Sequence, residues 1–341
     1  MDWNKGFSAE YYATTVDPGT WRDIERLEIT GGSISRTGSG LRQSADITCR
    51  EYDPAQERWV RIYLTAKQND TGAREALFTG LATSPEIEIN GSVKEYPLQC
   101  FSVLKPAEDV FLSRGWFAPA GASGAQIIKQ LLEVCPCPVT VSAGSPILSQ
   151  AIVAEESETN LTMIEKVLKA INWRLRILGD GTVEIDPQPE TAGETFDAIK
   201  NDSIEPQISL AHDWYKCPNC FRAIRDDMSG TARDDSPDSM LSTVTRGREV
   251  WAQDTSCDLA DDESIAEYAV RRLAEEQEHY INIKYTRRFS PDITVGDLVR
   301  LYYPAQGIDG AYKITSQDIA LEYGAATSEE VTSGGNEDDG G

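Results

Sequence analysis

The stretch EIEINGSVKEYPLQCFSVL, residues 86–104, has the pattern of two antiparallel strands joined by a tight turn. Apolar residues alternate with polar ones around Asn90-Gly91, and an Asn-Gly pair favours the two-residue turn of a β-hairpin. Similar mixed β-branched and aromatic stretches occur at 41–49, 59–65 and 76–83, with turn residues between them, among them Gly31-Gly32. Residues 1–104 are therefore predicted to form a small antiparallel β-barrel or sandwich without a helix.

The pattern becomes helical within residues 105–190, which are predicted to form a small α/β module of about 85 residues. Ser123 begins an apolar-periodic run with the spacing of a capping box, and Pro136 ends it. A second helix is expected to be capped at Thr162 or at Asn160. The strands of the module are predicted at 139–141, 173–178 and 182–185.

Residues 191–325 return to strands around one long helix and are predicted to form a second β domain. The helix begins at Ser264, whose spacing to Glu267 is that of a capping box. The polar segment 226–243 is expected to be a mobile loop. Residues 326–341 are rich in acids and glycine and contain no basic residue, so a disordered acidic tail is expected there. Strands are predicted at 280–285, 298–302 and 312–321.

Composition limits the classes of protein to which the chain can belong. A length of 341 residues suggests two or three domains. The formal net charge of −24 argues against a protein that coats nucleic acid or binds anionic membranes, because both need a basic surface. No apolar run approaches the length of a membrane span, and the first residues show no signal-peptide pattern. The seven cysteines are an odd number, which favours reduced thiols and folding in a cytoplasm.

The motif Cys217-Pro-Asn-Cys220 is the one local pattern with chemical character. A redox pair would need a helix N-terminus after it, but the surrounding residues have the pattern of a strand. A four-sulfur zinc site could add Cys135 and Cys137, although a C-x-C with prolines beside it is poor zinc-ligand geometry. The favoured interpretation is that these are structural thiols, with neither a metal nor a disulfide between Cys217 and Cys220.

The other candidate is His212 with Asp213, which could belong to a catalytic arrangement. No nucleophile motif accompanies the pair, and the chain contains only two histidines. The chain is rich in carboxylates, so no acid pair stands out for glycoside cleavage. The sequence therefore assigns no catalytic residue, no cofactor-binding residue and no metal ligand, and the chain is expected not to be an enzyme.

Several short motifs, in this order, resemble the hub proteins of phage tails and contractile injection machines, the late control protein D-like family. Phe78-Thr-Gly80 with 96–104 is similar to a strand pair of that family, with Ser102 where an aspartate is common. Glu158–Leu161 and Ile171–Arg174 resemble its middle module, with Asn172 in place of an expected glycine. The closing helix and last strands are represented by 262–268, 295–299 and 308–314.

The resemblance implies two tail-tube-like β domains per chain, at 1–104 and 191–325, with the α/β module outside the ring. Three chains would form a homotrimeric, pseudo-sixfold ring at the distal end of a tail tube, with a channel for DNA. The implied partners are a distal tail or tube protein, a tape measure protein and a tail spike or fibre protein. The resemblance also implies no enzymatic activity, no cofactor, no membrane anchor, a place in the virion and assembly in the host cytoplasm.

Two other functions remain open at the level of sequence. One is a tail-associated cell-wall hydrolase, and the other is a receptor- or carbohydrate-binding module. A ring that passes DNA would carry more Asp and Glu than Lys and Arg on its channel surface, because a basic lining would bind the polyanion. The alternative is that the acidity is spread evenly and only aids solubility.

Overall fold

The computed structural model describes residues 1–53, 55–83, 87–144, 146–200, 203–212, 214–215, 217–225, 227–255, 257, 263–278 and 281–333. Within these residues strands predominate, so the predicted mainly β class is confirmed. The strands are β1 (Ser8–Val16), β2 (Asp23–Leu27), β3 (Ile29–Thr37), β4 (Gln43–Cys49), β5 (Arg58–Gln68), β6 (Thr71–Ala82), β7 (Glu88–Asn90), β8 (Val93–Ser102), β9 (Phe117–Ala118), β10 (Val139–Val141), β11 (Ile152–Val153), β12 (Trp173–Ile177), β13 (Val183–Pro187), β14 (Glu194–Asp197), β15 (Ile204–His212), β16 (Cys220–Arg225), β17 (Met228–Arg233), β18 (Trp251–Asp254), β19 (Ile281–Arg288), β20 (Leu298–Tyr303), β21 (Ile308–Ala320) and β22 (Ala326–Ser333).

The helices are few and short. They are α1 (Lys105–Asp109), α2 (Gly124–Leu131), α3 (Asn160–Ala170), α4 (Thr243–Arg246) and α5 (Ile265–Glu278), with 3₁₀ turns at Ser39–Leu41, Leu132–Val134 and Pro304–Gln306. In the part of the chain that the structure describes, no helix combines the length and apolar character that crossing a bilayer requires.

One sheet of fourteen strands runs through both β segments of the chain. Its main path is β15-β19-β22-β21-β3-β4-β8-β6-β5-β1-β2, with β14 and β20 attached to β21 and β7 attached to β8. The two segments join where β3 pairs antiparallel with β21, for example Ile34 opposite Ile319. Among the described strands the sheet is therefore shared by the two segments, and no closed barrel is present. The division into two β domains stays a prediction.

The predicted hairpin at Asn90-Gly91 is confirmed. β7 and β8 pair antiparallel with Asn90 opposite Val93, so the two turn residues are Gly91 and Ser92, one position later than the Asn-Gly pair. Gly91 has a φ of +63°, which a residue without Cβ adopts readily. The prediction of a turn at Gly31-Gly32 is wrong, because both glycines lie inside β3 at an irregular step in its pairing with β4. A Cβ on Gly32 would meet the Asp46 carbonyl oxygen at 2.2 Å, so the glycine allows close approach of two strands.

Strand alternation places the core on one face of the sheet. In β5 the side chains of Val60, Ile62, Leu64 and Ala66 are buried together with residues of β1, β4, β6 and β8. Ile319 of β21 belongs to this same cluster, and a second cluster lies between β19, β20, β21 and β22. Each fully buried aliphatic side chain contributes about 1.5–3 kcal/mol, so burial of this face determines the pairing register.

The middle segment forms the predicted α/β module. Ser123 caps α2 by accepting a hydrogen bond from the Gln126 amide, as its spacing predicts. The cap of α3 is neither of the two predicted residues: Thr159 accepts from the Thr162 amide, and the Thr162 hydroxyl accepts from the Thr159 amide. Threonine at both positions provides hydrogen-bond acceptors for the same two backbone amides as the usual Thr-Glu pair. A search of the sequence for an acidic residue at the third helical position therefore does not find this cap.

Two predictions for the last third of the chain are corrected. The segment 226–243 is not one loop, since β17 lies within it and pairs with β16 in a small sheet against which α5 packs. The expected disordered tail from 326 is wrong for residues 326–333, which form β22 between β19 and β21. Its acids do not prevent this, because Glu329 is buried against Arg287. Residues 334–341 lie outside the described residues.

Candidate functional site

The face of the main sheet opposite the core carries small hydroxyl side chains across six neighbouring strands. We call this set the hydroxyl face, and none of its members is buried. Strand register brings them together in adjacent rows. Its members are Ser33, Ser35, Ser44, Asp46, Thr48, Ser209, Lys284, Thr286, Ser316, Asp318, Ser328 and Glu330.

The charged members of the hydroxyl face are mainly acidic. Asp46, Asp318 and Glu330 are its carboxylates, Lys284 is the cation among its members, and Arg288 follows in the same alternation at the end of β19, where it donates to the Asn4 carbonyl. Lys284 Nζ lies 2.9 Å from Glu330 Oε2, so its charge is already compensated. Burial raises the pKa of Glu330, but hydrogen bonds from Asn282 and Lys284 outweigh this and lower it, which keeps the carboxylate ionised. Ser35 Oγ donates to Asp318 Oδ1 at 2.5 Å across the junction of β3 and β21. The surface is therefore polar, weakly acidic and free of large side chains.

A buried polar network lies directly beneath this face. Arg287 forms a bidentate pair with Glu329, with Nε at 2.9 Å from Oε2 and Nη2 at 2.6 Å from Oε1. Tyr285 Oη donates to Glu329 at 2.5 Å, and Gln317 Nε2 donates to it at 2.7 Å. The carboxylate of Glu329 thus accepts hydrogen bonds from β19 and β21 on both sides of β22, which satisfies a charge that would otherwise be costly to bury.

Arg36 of β3 extends this network across the junction between the two β segments. Its Nη1 donates to Gln317 Oε1 at 2.7 Å, and its Nη2 donates to the Leu77 carbonyl. Arg36 is 6% exposed, and no carboxylate among the described residues contacts it. Burial lowers the pKa of Arg36 to about 10, and the nearby Arg287 charge contributes to the shift. The network therefore connects both β segments around two arginines and one glutamate.

The main path of the sheet has two ends in the described chain, and the branch strands β14 and β7 also pair with one described strand each. β15 lies at one end of the main path and β2 at the other, and each pairs with one strand only. Most side chains of β15 are exposed, and Ile24 of β2 is 69% exposed. Unpaired backbone edges of this kind are templates for pairing with another chain.

The middle module contacts β5 and β6, and it also reaches β4 and β21, where Gln43 Nε2 donates to the Ile177 carbonyl at 3.2 Å and Lys313 Nζ donates to Gln188 Oε1 at 3.2 Å. Its turn at 178–182 reaches β5 and β6, where Thr79 Oγ1 donates to the Gly179 carbonyl at 2.8 Å. Arg61 Nη2 and Trp21 Nε1 both donate to the Asp180 carbonyl at 2.9 Å. A Cβ on Gly179 would meet the Ala76 carbonyl oxygen at 1.7 Å, so the turn lies directly on the strand backbone. This turn of the module is thereby fixed against β5 and β6.

The structure keeps the chemical candidates from the sequence apart. All seven cysteines are buried free thiols, and β16 begins at Cys220, so Cys217 precedes the strand in which it was expected to lie. Within the described residues no group of His, Cys, Asp and Glu has the geometry to hold a metal ion. His212 ends β15 with its ring 5.5 Å from that of Trp214, and Asp213 lies outside the described residues.

Sequence reasoning missed the buried network, although the sequence contains a signal for it. Arg36, Arg287 and Glu329 each occupy the apolar phase of an alternating strand, two residues from Ile34, Tyr285 and Val331 respectively. A charged side chain at a position that faces the core predicts either that the strand does not form there or that a buried partner compensates the charge. The partners come from strands far apart in the chain, so the pairing itself becomes visible only in the fold.

Comparison with solved structures finds the same fold along nearly the whole chain. A tail protein from Neisseria meningitidis MC58 matches with a TM-score of 0.71 at 14% identity, covering 94% of this chain and 96% of that one. The 43 kDa tail protein of prophage MuSo2 from Shewanella oneidensis gives 0.66 at 15%, with coverage of 95% and 98%.

A third match is a component of the type VI secretion system, the Escherichia coli c3393 protein, described as structurally similar to the bacteriophage T4 tail proteins gp27 and gp5. Its TM-score is 0.53 at 9% identity, covering 92% of this chain and 74% of that one. No protein-family model and no curated protein matches the sequence. The similarity to known proteins is thus one of structure, and the chain has the fold of phage tail proteins.

Proposed function

We propose that the chain is a structural protein of a phage tail or of a related injection machine, and that it forms a ring at the distal end of the tail tube. The observation that carries the proposal is the single sheet shared by both β segments, open at β15 and β2. Tail proteins of the same fold support it.

The open edges favour a closed ring of identical chains. Within one chain the first β segment joins the second through β3 and β21. Pairing β2 of one copy with β15 of the next would continue the sheet, as one repeated heterologous interface does in a cyclic assembly. Each copy supplies two β segments, so three copies give six. We therefore propose a homotrimer with pseudo-sixfold symmetry, of about three times 37.6 kDa.

The hydroxyl face is the proposed wall of the channel. Double-stranded DNA carries about one negative charge per 1.7 Å of axis and binds surfaces that offer lysine and arginine. A face of serine and threonine with Asp46, Asp318 and Glu330 offers it few cations: Lys284 is paired with Glu330, and Arg288 lies at the end of β19. DNA would pass such a wall without specific binding, repelled within about 8 Å at physiological salt. The middle module, fixed on β5 and β6, would lie outside the ring.

The proposed partners are the proteins that continue the tail on either side of the ring. A distal tail or tube protein would stack on one face, and a tail spike or fibre protein would attach to the other. A tape measure protein would reach the ring from inside the tube. The proposed place is the virion, after assembly in the host cytoplasm, and the proposed role involves no catalysis.

A stoichiometry experiment separates a structural role from catalysis. Purified chain is added in increasing amounts to tail-assembly extracts that lack it, and completed tails are counted by electron microscopy. A ring component is consumed, so completed tails should increase linearly and saturate at three chains per tail. Completion of many tails per added chain would contradict the structural role. Release of fragments from purified cell wall by the chain alone would instead support a hydrolase.

A further inference from the structure

A row of tyrosine and arginine side chains crosses four neighbouring strands and ends at the edge strand β2. The rings of Tyr12 on β1 and Tyr63 on β5 stack with their centroids 5.2 Å apart. The Cζ atom of Arg74 on β6 lies 3.9 Å from the centroid of the Tyr63 ring, and that of Arg26 on β2 lies 4.1 Å from the Tyr12 centroid. A guanidinium held over an aromatic ring keeps N–H donors at its edge for a carboxylate. We call these four residues the arginine–tyrosine row.

The two arginines of the row differ in their ion pairs. Arg74 Nη2 lies 3.2 Å from Asp23 Oδ2, and the same carboxylate accepts from Arg61 at 2.8 Å and from the Tyr63 hydroxyl at 2.7 Å. Arg26 is exposed and forms no ion pair with a described residue. The positive charge at the edge of β2 is therefore available to a partner.

The other end of the main path carries an exposed carboxylate that is also unpaired. Glu205 belongs to β15 and forms no ion pair with a described residue. Glu205, Pro206 and Gln207 together lie opposite the single residue Thr286 of β19, so the strand bulges there. The Tyr303 hydroxyl donates to the Glu205 carbonyl at 3.2 Å and holds the bulge in place. Since proline has no N–H for a backbone ladder, an interface at this bulge has to use side chains.

Strand register determines the side of the sheet on which Arg26 lies. Residues directly opposite each other on paired strands share a face of the sheet. Arg26 lies opposite Thr14, and Thr14 lies opposite Arg61 of β5. Ile62, the next residue of β5, points into the core on the other side. Arg26 is therefore on the side opposite the core.

Glu205 lies on that same side. It borders a groove together with Ser209, Lys284 and Thr286, which are members of the hydroxyl face. The hydroxyl face is also opposite the core. If β15 of one copy continues the sheet from β2 of another, the unpaired arginine and the unpaired glutamate meet on one side of the sheet.

We propose that Arg26 of one chain pairs with Glu205 of the next chain, and that the arginine–tyrosine row is the centre of the contact between copies. The inference rests on the proposed ring and names the charge pair that determines how its copies meet. Tyrosine and arginine contribute disproportionately to binding at protein interfaces, and a guanidinium binds a carboxylate through two hydrogen bonds. Each copy supplies one arginine and one glutamate, so every contact of a closed ring contains one pair.

The net charge of the chain gives a reason for such a pair. Copies with a formal net charge of −24 repel one another. An attractive pair at the contact opposes this repulsion and favours one orientation of the two copies over others.

Charge reversal in the tail-assembly experiment tests the pair. Arg26→Glu and Glu205→Arg each place two like charges at every contact between copies. We expect each variant to be incorporated into completed tails at least about tenfold less than the parent chain. The variant that carries both substitutions restores an opposite pair and should be incorporated within about twofold of the parent.

Arg114→Glu is the matched control, because Arg114 is exposed in a turn of the middle module and forms no ion pair with a described residue. It should be incorporated normally and should not rescue Glu205→Arg. Normal incorporation of either single reversal, or no recovery in the double variant, would overturn the pairing. If the parent chain is present at three copies per tail in that case, the ring stands without this pair. A parent chain that does not form the ring would overturn both.

A cross-link locates the contact directly. Arg26→Cys and Glu205→Cys are introduced together into one chain, whose seven native cysteines are buried. A short bis-maleimide added to assembled tails should join copies into covalent dimers and trimers, which neither single variant should form. Absence of these products, or linkage of position 26 to a different protein, would overturn the proposal.

Discussion

Glu329 shows how much structure depends on one buried side chain. Its carboxylate holds Arg287 in a bidentate pair and accepts hydrogen bonds from Tyr285 and Gln317, and Gln317 in turn receives Arg36. A buried ion pair adds little over an apolar replacement, but removing one partner leaves an uncompensated charge in the interior. The network therefore makes the junction of the two β segments sensitive to single substitutions.

The first prediction concerns this residue. Glu329→Gln keeps the shape of the side chain and removes its charge, so the buried Arg287 loses its counter-ion. We expect the free energy of unfolding to fall by about 3–5 kcal/mol, as measured by urea denaturation.

The neighbouring residue supplies the control. Glu330→Gln changes the same side chain on the opposite face of β22, where Lys284 is exposed and the pair contributes at most about 1 kcal/mol. Equal losses for the two variants would show that the network does not stabilise the junction.

At the scale of elements, the closest backbone contact of the middle module with the main sheet is made by one turn. Gly179 lies against the backbone of β6, where no side chain can move aside to make space. Gly179→Ala should force the turn away from the strand and break the hydrogen bond from Thr79. We expect a loss of about 1–3 kcal/mol and faster hydrogen exchange at β5–β6 and at the turn.

A second glycine tests whether the effect comes from the contact. Gly193→Ala is the control, because a Cβ there has the Leu298 carbonyl oxygen as its nearest neighbour, at 4.0 Å. If the alanine at 193 destabilises the chain as much as the alanine at 179, the loss reflects general glycine replacement and the turn is not the attachment point.

Local patterns predicted the elements better than their association. The N-cap at Ser123, the capping box at Ser264 and the hairpin at Asn90-Gly91 are confirmed, because each depends on neighbouring residues alone. The position of β22 could not be predicted in this way. Its acids indicate disorder when taken alone, and only Arg287 on a distant strand makes burial of Glu329 favourable. The hydroxyl face likewise depends on register between strands from both ends of the chain.

At the scale of the whole molecule, ring closure should depend on the edge strand β2. Ile24 is 69% exposed on that edge, and Ile24→Glu would place a charge in the proposed interface. We expect the variant chain to remain folded but to be absent from completed tails. Ile89→Glu is the matched control, since Ile89 is 67% exposed but lies on the β7–β8 hairpin. Normal incorporation of the Ile24 variant would argue against this interface.

Passage of DNA should depend on the charge of the hydroxyl face. Asp46→Lys with Asp318→Lys reverses two of its carboxylates, and we expect tails with this variant to eject DNA more slowly, most clearly at low salt. Asp70→Lys with Glu156→Lys makes the same change of net charge at exposed positions off this face. Equal ejection rates for the two double variants would show that the acidic residues of the hydroxyl face do not affect DNA passage and that the negative charge of the chain only aids solubility.

The most direct measurement is a cryo-electron microscopy reconstruction of a tail tip that contains the chain. The proposed assembly predicts three copies in one ring, with β2 of each copy beside β15 of the next. The hydroxyl face, from Ser33 and Ser35 to Asp318 and Ser328, should line the channel, and the middle module should lie outside. A copy number other than three, or a hydroxyl face covered by protein and turned away from the channel, would contradict it.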